Sequence, residues 1–288
     1  MKPIIITDAS SDLPLEYIVK NNIPYLGLIY NFKGGEYEDD FGKSISYKEF
    51  YDGVRSGEMP HTSQINEFRF LEKFKDLMKY QKPIIYIGMS SGLSGTINSA
   101  ELARNNIISQ DKNVDITVID TKCASLGQGI LVIKAVKMAE EGCSKEDIIT
   151  WINENMVKMN HWLVVEDLSH LKRGGRISST TAAVGTLLDL KPIIYLTKEG
   201  VLKNITNTRG KKKAIKFLAE KFKENHNNYG EQIVGITHGD CIEDALQLKE
   251  ILIRESNVKE VIINELGAGL GSHCGQGMVS VCFIGKSR

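Results

Sequence analysis

Short runs of β-branched and aliphatic residues alternate with longer segments of helical periodicity along most of this chain, and that alternation constrains the fold most. The apolar runs fall at 3–7, 83–89, 115–120, 162–166, 192–197, 232–238 and 259–264, each short enough for a buried strand. Between most of them, at 67–80, 94–106, 127–141, 145–155, 211–225 and 242–255, apolar residues recur every three or four positions with Lys and Glu in the gaps. Strand followed by helix favours parallel strands joined by crossover helices, at least in the first half. The second half reads as mixed: runs 192–197 and 201–208 are separated by Lys198-Glu199-Gly200, a hairpin-like link that makes those two strands antiparallel. The expected fold class is α/β in two lobes, residues 1–159 and 160–288, with a soft boundary that no repeat or low-complexity linker marks.

Charge narrows the function. The 288 residues carry 36 basic and 36 acidic side chains, so no field draws the chain to polyanions, and nucleic acid is not an expected partner. The opening MKPIIITDASSDLP turns polar after Ile6, and no apolar stretch approaches the roughly 18 residues of a spanning helix. The chain is expected to be soluble and cytoplasmic. Five scattered cysteines with no C-x-x-C pair fit a reducing compartment and argue against structural zinc. Cys274, beside His273, admits a catalytic reading, but a small packed thiol is the commoner case. Asp8 and Asp12 suggest a metal or phosphoaspartate site less well than a capped turn, because no further carboxylate or histidine cluster accompanies them.

The densest chemical signal is IGMSSGLSGTIN at 87–98, where a strand gives way to a helix. Open α/β sheets place ligands at such strand ends, and helix N–H groups with Ser90, Ser91, Ser94 and Thr96 hydroxyls favour an anion. Read blandly, Ser94 is an N-cap and the glycines make the turn. Gly88-Met89-Ser90-Ser91-Gly92 also satisfies G-x-S-x-G, so a serine hydrolase using Ser90 with Asp240 and His273 is the sharpest rival, although no oxyanion-hole HGGG segment precedes it. A small-anion sensor built on the Ser94 loop is a third class. Further clusters are PHTSQ at 60–64, which alone reads as a capping loop, LKRGGRIS at 171–178, and the glycine-dense GAGLGSHCG at 267–275, read as a loop.

Taken in order, ITDASSDLP from Ile6, TSQ from Thr62, SSGLSGTINSA from Ser90, LKRGGRIS from Leu171, TRGKKKA from Thr208 and GAGLGSHCGQG from Gly267 resemble the DegV family of fatty-acid-binding proteins over the whole chain. Ala9 stands where that family often has serine. The resemblance implies a Rossmann-like parallel N-terminal lobe, a C-terminal α/β lobe with mixed or antiparallel strands, and a fatty acid such as palmitate or oleate held between them. It implies no catalytic residue, metal or cofactor. Carried over by position, the carboxylate falls to Thr62 and Ser94, with Ser63, Gly95, Arg176 and His273 as weaker candidates. The family resemblance also implies a separate fatty acid kinase as partner, with the acyl phosphate feeding phospholipid synthesis. Arg209, Lys211, Lys212 and Lys213 open a helix and read either as a solvated face or as a docking patch for that kinase or an anionic membrane surface. Met89, Phe68, Leu93, Ile97, Leu187 and Leu188 are candidate tunnel liners, each equally readable as core.

Overall fold

The computed structural model describes residues 1–178, 189–227, 232–256, 258 and 260–288, so Leu187 and Leu188 lie outside the described residues. Among the described residues thirteen strands form three sheets. The first is parallel, in the order β2 (Tyr25–Leu26), β1 (Ile4–Asp8), β6 (Ile84–Gly88) and β7 (Ile116–Asp120). The second runs β10 (Leu202–Arg209), β9 (Leu190–Leu196), β8 (Met159–Val164), β13 (Val279–Ile284), β11 (Ile233–His238) and β12 (Glu260–Glu265). It is mixed: β11 and β12 are parallel and every other pair is antiparallel. The third is a small antiparallel sheet of β4 (Gly35–Glu38), β3 (Ile29–Phe32) and β5 (His61–Ser63).

Ten α-helices are described: α1 (Leu15–Lys20), α2 (Tyr47–Arg55), α3 (Glu67–Met78), α4 (Thr96–Gln110), α5 (Ser125–Glu140), α6 (Lys145–Met156), α7 (Ser169–Arg173), α8 (Lys211–Asn225), α9 (Ile242–Ser256) and α10 (Ala268–Cys274). Local chemistry sets their ends. Asn66 caps α3 by accepting the Arg69 N–H, and Ser144 with Asp147 forms a capping box at α6. In α3, Phe70, Phe74 and Leu77 share one face and are buried against Tyr86 and Ile6 of the parallel sheet.

Helix α5 joins the two large sheets. Twelve of its sixteen residues are buried, and it packs on β1 and β6 on one side and on β8, β11 and β13 on the other. Its side chains share one core with Ile5, Ile85 and Ile119 of the first sheet and Cys282 of the second. The lobes are therefore fused through a common apolar layer.

The parallel and mixed sheets and the β9–β10 hairpin agree with the sequence reading. The third sheet is new: its strands are short, β4 and β5 are mostly polar, and β3 turns into β4 through Lys33 and Gly34, both at positive φ (48° and 76°), a tight hairpin turn without an Asn-Gly signature. Strand β13 is also new, because Ser280 and Cys282 interrupt its apolar run although nearly the whole strand is buried. The glycine-dense segment expected to be a loop forms α10, since packing against α7 and β3 outweighs the low helix propensity of its glycines.

Candidate functional site

A cleft of about 800 Å³, solvent at its mouth included, is walled by the mixed sheet, by α10 and by the turns that follow β6 and β7 of the parallel sheet. Leu28, Leu163, Leu171, Leu196, Leu202 and Met278 supply much of its wall, so most of the lining is apolar. Thr62, Ser94, Arg176 and His273 line it too, from four separate parts of the chain.

Each of the four has an identifiable support. Thr62 sits on β5, not in a capping loop, and pairs in register with Tyr30 of β3. Its hydroxyl meets the His273 Nε2 at 2.7 Å. Ser94 lies in the turn after β6 and does not cap α4: Gly95 holds the N-cap position, and the Ser94 hydroxyl accepts the Thr96 N–H at 3.3 Å and meets the Thr96 hydroxyl at 2.9 Å. The turn is anchored from below by Asp8, which accepts the Met89 N–H at 3.2 Å and the Tyr86 hydroxyl at 2.6 Å. Arg176 donates through Nε to the Leu93 carbonyl at 3.0 Å and also to the Gly174 carbonyl. A Cβ on Gly174 would stand 2.1 Å from His273 Nδ1. Ser94, Leu93, Arg176, Gly174, His273 and Thr62 thus form one connected rim.

Burial and the charges of Arg176 and Arg173 depress the His273 pKa to about 4, so its imidazole is neutral near pH 7 and its bond with Thr62 is between uncharged groups. Deeper in the cleft, Ser125 donates to Thr237 at 3.0 Å, Thr237 bonds Ser280, and His161 Nδ1 meets Arg288 at 3.1 Å. Ser125, Thr237 and Ser280 are engaged with one another, while the buried His161 Nε2 has no hydrogen-bond partner among the described residues. The residues beyond the predicted set are mainly these and the leucines of β8, β9 and β10, which carry no motif; Gln64, also in the lining, belonged to the TSQ string.

Other expectations shift. Ser63 is exposed and does not line the cleft, and Gly95 stands behind it, where a Cβ would come within 2.1 Å of Gln64 Oε1. Met89 and Leu93 line the cleft, but Phe68 is 64% exposed because it lies on the outer face of α3, and Ile97 packs in the core between α4 and the parallel sheet. Among the docking candidates Arg209, Lys212 and Lys213 are exposed, while Lys211 is paired with Glu166 at 2.6 Å.

The hydrolase triad does not assemble. Ser90 is fully buried and its hydroxyl donates to the Gly200 carbonyl at 2.8 Å, Asp240 pairs with Arg55, and His273 bonds Thr62. Burial pushes the Cys274 thiol up to about 12, which leaves it protonated and unreactive near neutrality. Asp12 does not cap α1, whose N-cap is Pro14; it reaches instead to the Gly267 N–H at 2.9 Å. Among the described residues no group of three or more His, Cys, Asp or Glu side chains is placed to hold a metal ion, and no helix is long and apolar enough to cross a membrane.

This geometry has close counterparts. A DegV domain-containing protein of Clostridium perfringens is 42% identical over 287 residues, covering 100% of this chain and 99% of that protein. A DegV lipid-binding protein of Thermotoga maritima superposes with a TM-score of 0.88 at 26% identity over 100% of both chains. A DegV family protein of Thermus thermophilus, described by its fatty acid binding, superposes at 0.87 with 30% identity over 99% of this chain and 100% of that one. The family model described as "Uncharacterised protein, DegV family" matches residues 2–286, and the chain belongs to the DegV family.

Proposed function

We propose that this protein is a non-catalytic cytoplasmic carrier that holds a long-chain fatty acid between lobes 1–159 and 160–288, with the carboxylate on Ser94 and Thr62. The observation that carries this reading is the pairing of apolar cleft walls with one connected polar rim. The fatty acid binding of the Thermus relative supports it.

The division of labour follows from magnitudes. About 14 methylenes at roughly 0.8 kcal/mol each give on the order of 11 kcal/mol of gross driving force, of which association and ordering remove a large part. Hydrogen bonds to a carboxylate contribute about 1.5 to 3 kcal/mol each. The tail supplies most of the affinity and the hydroxyls fix which end faces out.

Hydroxyl ligands also suit a presenting role. A bidentate arginine clamp would occupy both carboxylate oxygens, whereas single hydroxyl donors leave lone pairs for attack on the γ-phosphorus of ATP in a separate fatty acid kinase, with ADP leaving. In this reading Arg176 offsets the added charge of the acyl phosphate, which goes on to phospholipid synthesis. Arg209 and Lys212, with Lys211 braced by Glu166, form the kinase-facing patch, and a transient anionic membrane surface is the other face they suit. Reversing Arg209 and Lys212 is expected to lower kinase turnover and leave oleate affinity unchanged; equal loss of both would refute the docking role.

Mass spectrometry of a solvent extract tests the carrier reading. Freshly purified protein is expected to release fatty acid in near-stoichiometric amount. A clean extract, with no binding of added palmitate or oleate, would refute it.

A further inference from the structure

Three aspartates are buried and, among the described residues, join no ion pair. Asp8, Asp12 and Asp39 are 0%, 1% and 2% exposed, and the charged neighbours acting on Asp12 and Asp39 are other aspartates. Ionised carboxylates in such a place disfavour the folded state unless their hydrogen bonds compensate. Asp8 is accounted for by its hold on the Ser94 turn. Asp12 and Asp39 converge on the start of α10.

Asp12 Oδ1 accepts the Gly267 N–H and Asp39 Oδ2 accepts the Gly269 N–H, both at 2.9 Å. Neither approach tolerates a side chain: a Cβ on Gly267 or on Gly269 would lie 2.9 Å from Asp39 Oδ2. Tyr51 donates to the Leu266 carbonyl at 2.8 Å and completes the seat. At the other end of this seven-residue helix stands His273, bonded to Thr62. The first half of the chain therefore grips one end of α10, and the other end returns to the first half at the mouth of the cleft.

We infer that Asp39, assisted by Asp12, is a positioning residue for the carboxylate site: by holding the start of α10 it sets His273 against Thr62. This rests on the reading of Thr62 as a carboxylate ligand. The negative charge strengthens the grip on the Gly269 N–H relative to a neutral acceptor. The titratable groups that act on Asp39 or that it acts on include Asp8, Asp12, Asp40, Tyr30 and Tyr47. Burial raises its pKa to about 6, so it is ionised near pH 7.5 at a cost to stability.

Asp39→Asn keeps an acceptor oxygen and removes the charge. Three measurements on the full chain test the inference: Tm at pH 7.5, oleate affinity, and the His273 titration by NMR without ligand. The expected results are a Tm raised by a few degrees, oleate affinity reduced about 3- to 10-fold, and a displaced His273 titration. In a Thr62→Val background the same substitution is expected to change affinity no further. A fall of Tm and affinity together would assign Asp39 a merely structural role and overturn the inference, as would multiplicative effects with Thr62→Val. Should the wild-type protein bind no oleate, the carrier reading fails, and an unmoved His273 titration in Asp39→Asn separately overturns the positioning role.

Discussion

The two hydroxyls on the rim reach the same cleft by different routes. Ser94 belongs to a turn at the end of a central parallel strand, where Asp8 and the Ser90 carbonyl hold it from within its own lobe. Thr62 sits on a three-residue strand of a small sheet, and its hydroxyl is oriented by a histidine contributed 211 residues later. The Ser94 turn is held from its own lobe and also by Arg176 and Gly200 of the second, at Leu93 and Ser90, whereas the Thr62 hydroxyl bonds His273 of the second. A carboxylate bridging both would read whether the lobes are correctly assembled.

That contrast can be broken at several points. The largest effect is expected where the tail lies: Leu202→Arg on the half-buried β10 position should cost about 100-fold or more in oleate affinity, because a charge there excludes roughly four methylenes from burial. Fluorescence displacement titration measures it, and retention of tight binding would mean the tail does not pass β10. Next, Asp8→Ala should lower unfolding free energy by about 2 to 3 kcal/mol, since it strips the Tyr86 hydroxyl and Met89 N–H of a buried acceptor. Urea denaturation would show this, and an unchanged midpoint would contradict the anchoring role.

Ser94→Ala and Thr62→Val should each reduce affinity about 10-fold with little change in Tm, but only Thr62→Val should also alter the His273 titration. An equal shift from Ser94→Ala would erase the distinction between the two routes.

The smallest effect concerns pH. His273, lowered to about 4, binds fewer protons folded than unfolded between pH 4 and 6.5, so its contribution to stability is lost as pH falls through that window. Asp39, raised to about 6, binds more protons folded than unfolded between pH 3.8 and 6, so its contribution falls as pH rises. The two slopes oppose each other. Asp39→Asn should uncover the histidine term as a steeper loss of stability on acidification, measurable by thermal melts from pH 4.5 to 7; an unchanged slope would contradict the opposition.

The same contrast explains what the sequence made legible. The strand before Ser94 is a five-residue apolar run followed by a Ser/Gly turn, and both are local signals. The parallel lobe, the hairpin after Leu196 and the helix from Lys211 are legible for the same reason. Thr62 was reached by resemblance alone, because β5 owes its existence to pairing with Tyr30 and Asn31 rather than to its own residues. Likewise α10 looks like a loop by composition, and only the carboxylates of Asp12 and Asp39 and the packing around it explain a helix there. Phe68 misleads because periodicity identifies a helix without always revealing which face is buried.

In the proposed binding mode Ser94 and Thr62 together hold the fatty carboxylate. Carbon-13 NMR of bound oleate labelled at the carboxyl carbon tests it directly. The expected result is one resonance displaced from that of free oleate, moved again by Ser94→Ala and by Thr62→Val and unmoved by Ser90→Ala. A bound resonance indifferent to both substitutions would contradict it.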